Sequence, residues 1–389
     1  MPDSILLAML LVAISFGYLM GRLQKKKQPS TQVSTVTKDY FVGLNYLLNE
    51  QPDEAIDAFI HALDLGGDNV DAYLALGTLF CKRGEVERSI RVHQDLLARP
   101  SLTPVQSRRV QLELAKDYMY AGLFDRAEAM LTEMVKHHHE LKSEALLQLL
   151  KIYEQEKEWL KAIDIAESLK RNQGLHYYKA LALYYCEQAE EDLGNNNRAS
   201  ARRHIKVAFA RDKDCVRASL LLGRMDYEEG RYRDAVRTLE NIAKQNVRYI
   251  SLSIPMLEKA YNNLPSTKGL KNYLVRCLNE SPTSMIVLAM SRLIEKEQGK
   301  RFATNFLIAQ LAKRPTLIGL NRLVTLQQSL GQLEHESFRL FKELTNKMLV
   351  KKPVFACSSC GFKSKEMYWQ CPSCKQWSSI SPITGLEGE

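Results

Sequence analysis

The feature that most constrains this chain is a repeat with a period near 34 residues. Val42-Gly43 with Tyr46 recurs as Leu76-Gly77 with Phe80, 34 residues on. Leu114-Ala115 with Tyr118 follows after 38, the four extra residues falling in the Pro100–Pro104 stretch, and Leu149-Leu150 with Tyr153 after another 35. Each triad marks a first helix, and each is followed by a small residue on a second: Ala55, Ser89, Ala127 and Ala162. Four positions further on stand Phe59, Leu131 and Ala166, with His93 as the polar exception. Turn residues separate the partners at Asn49–Pro52, Arg83-Gly84, Ala121-Gly122 and Gly230-Arg231. Only 19 Gly and 12 Pro punctuate 389 residues, so collagen-like and breaker-rich disordered classes are excluded. Runs of β-branched residues are lacking, which excludes a β-sandwich or barrel.

The pattern resembles tetratricopeptide repeats, helix–turn–helix units in which small residues let two antiparallel helices approach closely. Leu181-Ala182 opens an overlong first helix ending near Gly194, partnered by Ala201, Ile205 and Ala208. Leu222-Gly223, Gly230, Ala235 and Leu239 make another match, while 250–283 and 284–317 keep the period but lose most signature residues. Residues 318–350 read as a final helical pair or cap. One such pair cannot bury its own apolar face, so pairs stack side by side around a shared core. The fold class is therefore all-α, a tetratricopeptide-type α-solenoid over 38–350, with an extended groove that suits polypeptide ligands. Projecting the exposed face of the first helices places Arg109, Lys116, Lys151, Lys179, Arg217 and Arg224 along that groove, a basic stripe suited to acidic segments. Tyr46, Phe80, Tyr118 and Tyr153 are expected to pack within repeats.

The eight cysteines divide four and four. Cys81, Cys186, Cys215 and Cys277 fall at unrelated spacings in helices and read as small buried apolar residues. The others form Cys357-Ser-Ser-Cys360 and Cys371-Pro-Ser-Cys374, separated by ten residues. Two Cys-x-x-Cys pairs this close supply four thiolates from two tight turns, a tetrahedral S₄ shell for one metal ion, zinc or iron. Such a shell leaves no open coordination position for hydrolysis. The pattern resembles rubredoxin-type knuckles, with a shorter interval than rubredoxin and with Lys375 where glycine is common. Phe355, Phe362, Tyr368, Trp369 and Trp377 surround the pairs, and the small domain, 351–389, is expected to dock against the last helices and present Trp369 and Trp377. His137-His138-His139 reads as a solvated loop. No phosphate-binding loop, nucleophile elbow or zincin motif occurs, and no residue stands out as nucleophile or base.

Ile5–Gly21 is 17 residues without charge, about 26 Å as a helix and just short of a bilayer core. Its start lacks Lys or Arg and its exit lacks a small-x-small site, so it reads as a retained anchor (1–23) rather than a cleaved signal. The net charge is +9, of which Arg22, Lys25, Lys26 and Lys27 supply four while Asp3 returns one, leaving only +6 on residues 28–389. That is a membrane-topology signal rather than a nucleic-acid footprint, and it places the bulk of the chain on the cytoplasmic side. Residues 24–37 form a polar tether.

An anchor, a tetratricopeptide array and a paired Cys-x-x-Cys module, in that order, resemble the lipopolysaccharide assembly protein B family of the bacterial inner membrane. The resemblance is carried by Ile5–Gly21, the repeats from Val42 onward, and Cys357, Cys360, Cys371 and Cys374. It implies a non-enzymatic adaptor that regulates lipopolysaccharide synthesis by promoting turnover of the lipid A-pathway deacetylase LpxC by the membrane protease FtsH. It also implies contact with a membrane sensor protein and with lipopolysaccharide synthesis or transport proteins. A non-proteolytic membrane scaffold for envelope assembly enzymes is the alternative.

Overall fold

The computed structural model describes Ser15, Tyr18 and residues 41–46, 48–49, 51–64, 70–137, 140–173, 176–331 and 336–385. The anchor expected at Ile5–Gly21 lies outside them except for Ser15 and Tyr18, both helical, and the tether at 24–37 lies wholly outside. Among the described residues no helix is long and apolar enough to cross a membrane. The chain divides into two compact units, Met1–Ile152 and Tyr153–Glu389.

In the first unit, helical residues 41–46 precede α1 (Pro52–Asp64), and the pairs α2 (Val70–Lys82) with α3 (Val86–Leu97) and α4 (Pro104–Tyr120) with α5 (Phe124–His137) follow. The helix α6 (Lys142–Glu156) opens the next pair. Pro100–Pro104 accommodates its extra residues by ending in a capping box: the Thr103 side chain accepts from Gln106 N–H, the Gln106 side chain accepts from Thr103 N–H, and Pro104 opens α4. Small residues sit where the periodicity places them, and the cause is close approach. A Cβ on Gly77 would lie 2.3 Å from His93 Nε2, so α2 can cross α3 only with a glycine there. His93 is fully buried, its Nδ1 2.6 Å from Asp117 Oδ2 on α4, so one ring nitrogen of the polar exception is paired with a carboxylate one repeat on. Phe80 and Tyr118 are buried in the core, as expected of aromatics packing within repeats.

The second unit continues with α7 (Trp159–Gln173), α8 (His176–Gly194), α9 (Arg198–Arg211), α10 (Val216–Glu228) and α11 (Tyr232–Glu240). Four-residue and 3₁₀ turns then lead to α12 (Ile250–Asn262), α13 (Lys268–Glu280), α14 (Ser284–Gln298), α15 (Lys300–Lys313), α16 (Leu317–Gln328) and α17 (Glu336–Lys351). Gly223 repeats the logic of Gly77, since a Cβ there would meet Leu239 of α11 at 2.6 Å. The signature residues thin out after α11, yet Ile254, Leu257, Leu270, Leu274, Ile286 and Ala289 still bury one continuous core. Cys81, Cys186, Cys215 and Cys277 are all buried. After α17 come three short strands, β1 (Phe355–Cys357), β2 (Lys363–Ser364) and β3 (Ile380–Pro382), antiparallel in the order β2-β1-β3. Phe355 faces Ser364 on one side and Pro382 on the other.

Candidate metal centre and the face it docks on

The small sheet exists to hold two turns. In the first, Cys357 N–H donates to Phe362 O at 2.8 Å and Gly361 N–H to Cys357 O at 3.1 Å. In the second, Cys371 N–H donates to Gln376 O at 3.0 Å and Lys375 N–H to Cys371 O at 2.9 Å. The two knuckles are thus the same turn built twice. Gly361 and Lys375 occupy equivalent places with φ of 75° and 59°, a left-handed conformation that a lysine adopts only at a cost. The side chains of Phe355, Cys357, Cys371 and Ile380 form the module's own core, with Phe362 and Met367 against it.

The four Sγ atoms lie within 4.8 Å of one another, with Cys357 to Cys374 and Cys360 to Cys371 both at 3.7 Å. A tetrahedral ion bound at the ~2.3 Å typical of zinc–thiolate needs sulfur–sulfur edges of about 3.8 Å. The donor set therefore fits one tetrahedral Cys₄ ion, with Cys357 and Cys371 buried and Cys360 and Cys374 exposed. Hydrogen bonding with Ser379, whose Oγ is 3.3 Å from Cys357 Sγ, and with backbone N–H groups brings the Cys357 thiol down to about 6. Backbone hydrogen bonding at Phe362 lowers Cys360 as well, while burial pushes Cys371 up to about 11. Bound there, the ion supplies cross-linking rather than an open Lewis-acid position, because all four ligand places belong to the chain.

Among the described residues, Trp369 and Trp377 make their ring contacts away from the last helices, α16 and α17. The module folds back onto earlier repeats of its own unit. Trp377 stands edge-on to Tyr184 of α8 (centroids 5.5 Å apart, rings at 76°) and to Trp159 of α7 (6.1 Å, 74°). Its indole Nε1–H donates to Glu154 Oε1 at 2.9 Å, and Gln370 Nε2 donates to Glu154 Oε2 at 3.1 Å. Tyr184 also donates its hydroxyl to Glu154. Trp369 packs on Tyr249, whose hydroxyl donates to Ile380 O at 3.0 Å, and Met367 reaches the α12 core. The two tryptophans thus serve docking rather than the knuckle's interior. The cause is chemical: Glu154, Trp159, Tyr184 and Tyr249 offer an acceptor and ring faces to two amphipathic indoles.

The proposed basic stripe is rearranged by its neighbours. Arg217, expected on an exposed face, is 4% exposed; it pairs with Glu187 at 2.6 Å and with Glu190, and Trp369 lies 5.9 Å over its guanidinium. Arg224 reaches Glu190 at 3.7 Å. In the first unit Arg109 pairs with Asp71 at 3.1 Å, and Lys116 with Glu113 at 2.7 Å and Glu144 at 3.2 Å. Lys151 is exposed and donates to Gln148, and Lys179 is exposed. Projecting one helix at a time reveals the cations but not the carboxylates that other helices set against them, Asp71, Glu144, Glu187 and Glu190. His137 closes α5, and His138 and His139 lie outside the described residues.

Fold and site together define a class: a helical-repeat protein of the tetratricopeptide type carrying a C-terminal rubredoxin-like Cys₄ knuckle. Residues 72–104, 112–183 and 186–249 match tetratricopeptide repeat families, and residues 355–382 match the rubredoxin metal binding domain family. The chain is 34% identical over 386 residues to lipopolysaccharide assembly protein B of Escherichia coli K12, covering 99% of both proteins. It is 33% identical to the protein of that name from Haemophilus influenzae, covering 98% of this chain and 99% of that one. The chain belongs to the lipopolysaccharide assembly protein B family. Among solved structures, a tetratricopeptide repeat protein from Parabacteroides merdae overlays with a TM-score of 0.35 at 14% identity, over 72% of this chain and 100% of that one, too remote a likeness to bear on function.

Proposed function

We infer that the chain is an adaptor in lipopolysaccharide assembly, anchored in the inner membrane by Ile5–Gly21 with residues 22–389 in the cytoplasm and no catalytic chemistry of its own. The observation that carries this is collinearity: repeats and knuckle align end to end with relatives named for lipopolysaccharide assembly. The donor set at Cys357, Cys360, Cys371 and Cys374 is closed, which favours a structural metal over a catalytic one. In the finer reading, the repeats hold the deacetylase LpxC near the membrane protease FtsH, and a membrane sensor protein restrains that delivery. Tethering both on one membrane raises the substrate's effective concentration at the protease, to the millimolar range for short flexible tethers.

The test is deacetylase half-life in cells carrying the full chain or a chain lacking residues 1–23, read alongside crosslinking in membranes. Deletion of the anchor should lengthen the half-life and lose the protease crosslink. The relatives are named for assembly, and a scaffold for assembly enzymes without a protease link has the same architecture. An unchanged half-life with retained crosslinks to synthesis enzymes would select the scaffold.

A further inference from the structure

In the second unit the first-helix face is already occupied, because the chain's own knuckle lies on Glu154, Tyr184 and Arg217. The corresponding face of the first unit carries a cleft of about 500 Å³ between α2, α4 and α6. Its walls hold three carboxylates, Asp71, Glu113 and Glu144, against one cation, Arg109, and its floor is formed by the edges of Leu74 and Leu112. The Asp71 and Glu144 side chains are 54% and 46% exposed, so a ligand can reach them. Lys116 pairs with two of the carboxylates, and counting it still leaves an excess of one negative charge.

We propose that this cleft is the partner-binding site and takes an extended polypeptide segment that presents Lys or Arg beside Leu-sized side chains. This rests on the adaptor reading and names the chemistry of what the adaptor holds. Neighbouring packed helices lie about 8–10 Å apart, and a segment in the extended polyproline II conformation advances ~3.1 Å per residue with three residues per turn, which returns every third side chain to the same face. Every third side chain of such a segment therefore meets a successive first helix, and cations at that spacing face Asp71, Glu113 and Glu144 in turn. The knuckle illustrates the same chemistry within the chain, where a first-helix carboxylate, Glu154, takes N–H donors from Trp377 and Gln370. The charge excess sets the sign of the preferred ligand, and the apolar floor supplies contact that salt does not screen. An acidic partner, which the basic residues Arg109 and Lys116 suggest when taken alone, meets carboxylates that outnumber those two cations.

The experiment uses the full chain in detergent and two fluorescein-labelled peptides, Arg-Leu-Ser-Arg-Leu-Ser-Arg and its counterpart with Glu in place of Arg, read by anisotropy. The Arg peptide should bind, with affinity falling as salt rises. Glu113→Gln with Glu144→Gln should weaken it about tenfold, and Arg109→Glu should tighten it several-fold, a gain that misfolding cannot produce. Preferential binding of the Glu peptide, no binding of either, or unchanged affinity in both variants would overturn the assignment. Deacetylase half-life separates the two levels. If affinities shift as expected while half-life never depends on the chain, the protease reading fails and the cleft stands; if half-life is chain-dependent but indifferent to the Glu113/Glu144 pair, the cleft fails.

Discussion

Glu154 is the residue on which the knuckle and the repeats converge, and its replacement is the most informative single perturbation. Oε1 accepts from Trp377 Nε1 at 2.9 Å and Oε2 from Gln370 Nε2 at 3.1 Å, while the Tyr184 hydroxyl also donates to the carboxylate. A hydrogen bond to a charged group contributes ~1.5–3 kcal/mol. The three share one carboxylate and are not additive, so Glu154→Ala should cost the docked state about 3–5 kcal/mol. Part of that is the indole N–H left without an acceptor between the rings of Trp159 and Tyr184. Glu154→Gln keeps the shape and one acceptor oxygen and should cost about 1–2 kcal/mol. The assay is amide hydrogen exchange on the full chain, which reads local opening directly. At ~1.4 kcal/mol per factor of ten, the alanine variant should speed exchange around Gln370–Ser378 by roughly two to three and a half orders of magnitude, with α14 and α15 unaffected. Exchange within threefold of the wild type, or equal effects of Ala and Gln, would refute the claim that this carboxylate holds the module in place.

Replacing Cys371 and Cys374 with Ser should abolish metal retention, measured by elemental analysis, and expose residues 355–382 to proteolysis, because such knuckles draw ~10–16 kcal/mol of apparent folding energy from their ion. Lys375→Gly relieves a left-handed lysine and should stabilise the module by about 1 kcal/mol, seen as slower metal loss to a chelator. Gly77→Ala drives a Cβ into His93 Nε2 and should destabilise the first unit by ~1–3 kcal/mol in urea unfolding. Burial holds the Asp226 carboxyl above its ordinary value despite Arg202, so the folded state binds that proton more tightly than the unfolded chain. Its share of stability is present below the unfolded pKa and lost as pH rises through the folded one, and Asp226→Asn should remove that component from the acid limb of a stability–pH curve.

What could be read from the chain alone was whatever short-range spacing dictates. The small residues Gly77 and Gly223 announce themselves because helix crossing leaves no room for a Cβ, and the crossing recurs with every repeat. The Cys₄ shell is legible because each turn places two thiolates three residues apart. The docking face was not legible, since Glu154 meets Gln370 and Trp377 across 216 and 223 residues and carries no local mark that separates it from other helix-surface glutamates. Arg217 was misplaced for the same reason: its burial comes from Glu187, Glu190 and Trp369, none of them on its own helix. The acidic walls of the first-unit cleft were hidden because Asp71, Glu113 and Glu144 come from three different helices.

If metal binding sets the geometry that docks, the coupling between the two is reciprocal. Trp377 lies three residues past Cys374 and Trp369 two before Cys371, so the turns that gather the thiolates also set the indoles at Glu154, Tyr184 and Tyr249. On this expectation a module that loses its ion loses the geometry that docks, and by the same cycle a module that cannot dock holds its ion less tightly. If metal-dependent order accounts for most of the docking energy, Glu154→Ala should weaken metal affinity by up to two or three orders of magnitude, although Glu154 is no ligand. Competition with a chromogenic chelator on the full chain measures this, with the exposed Lys365→Ala as the control that should change nothing. Equal metal retention in wild type and Glu154→Ala would mean that the knuckle folds around its ion independently of the repeats, and that the contacts at Glu154 only locate a module already complete.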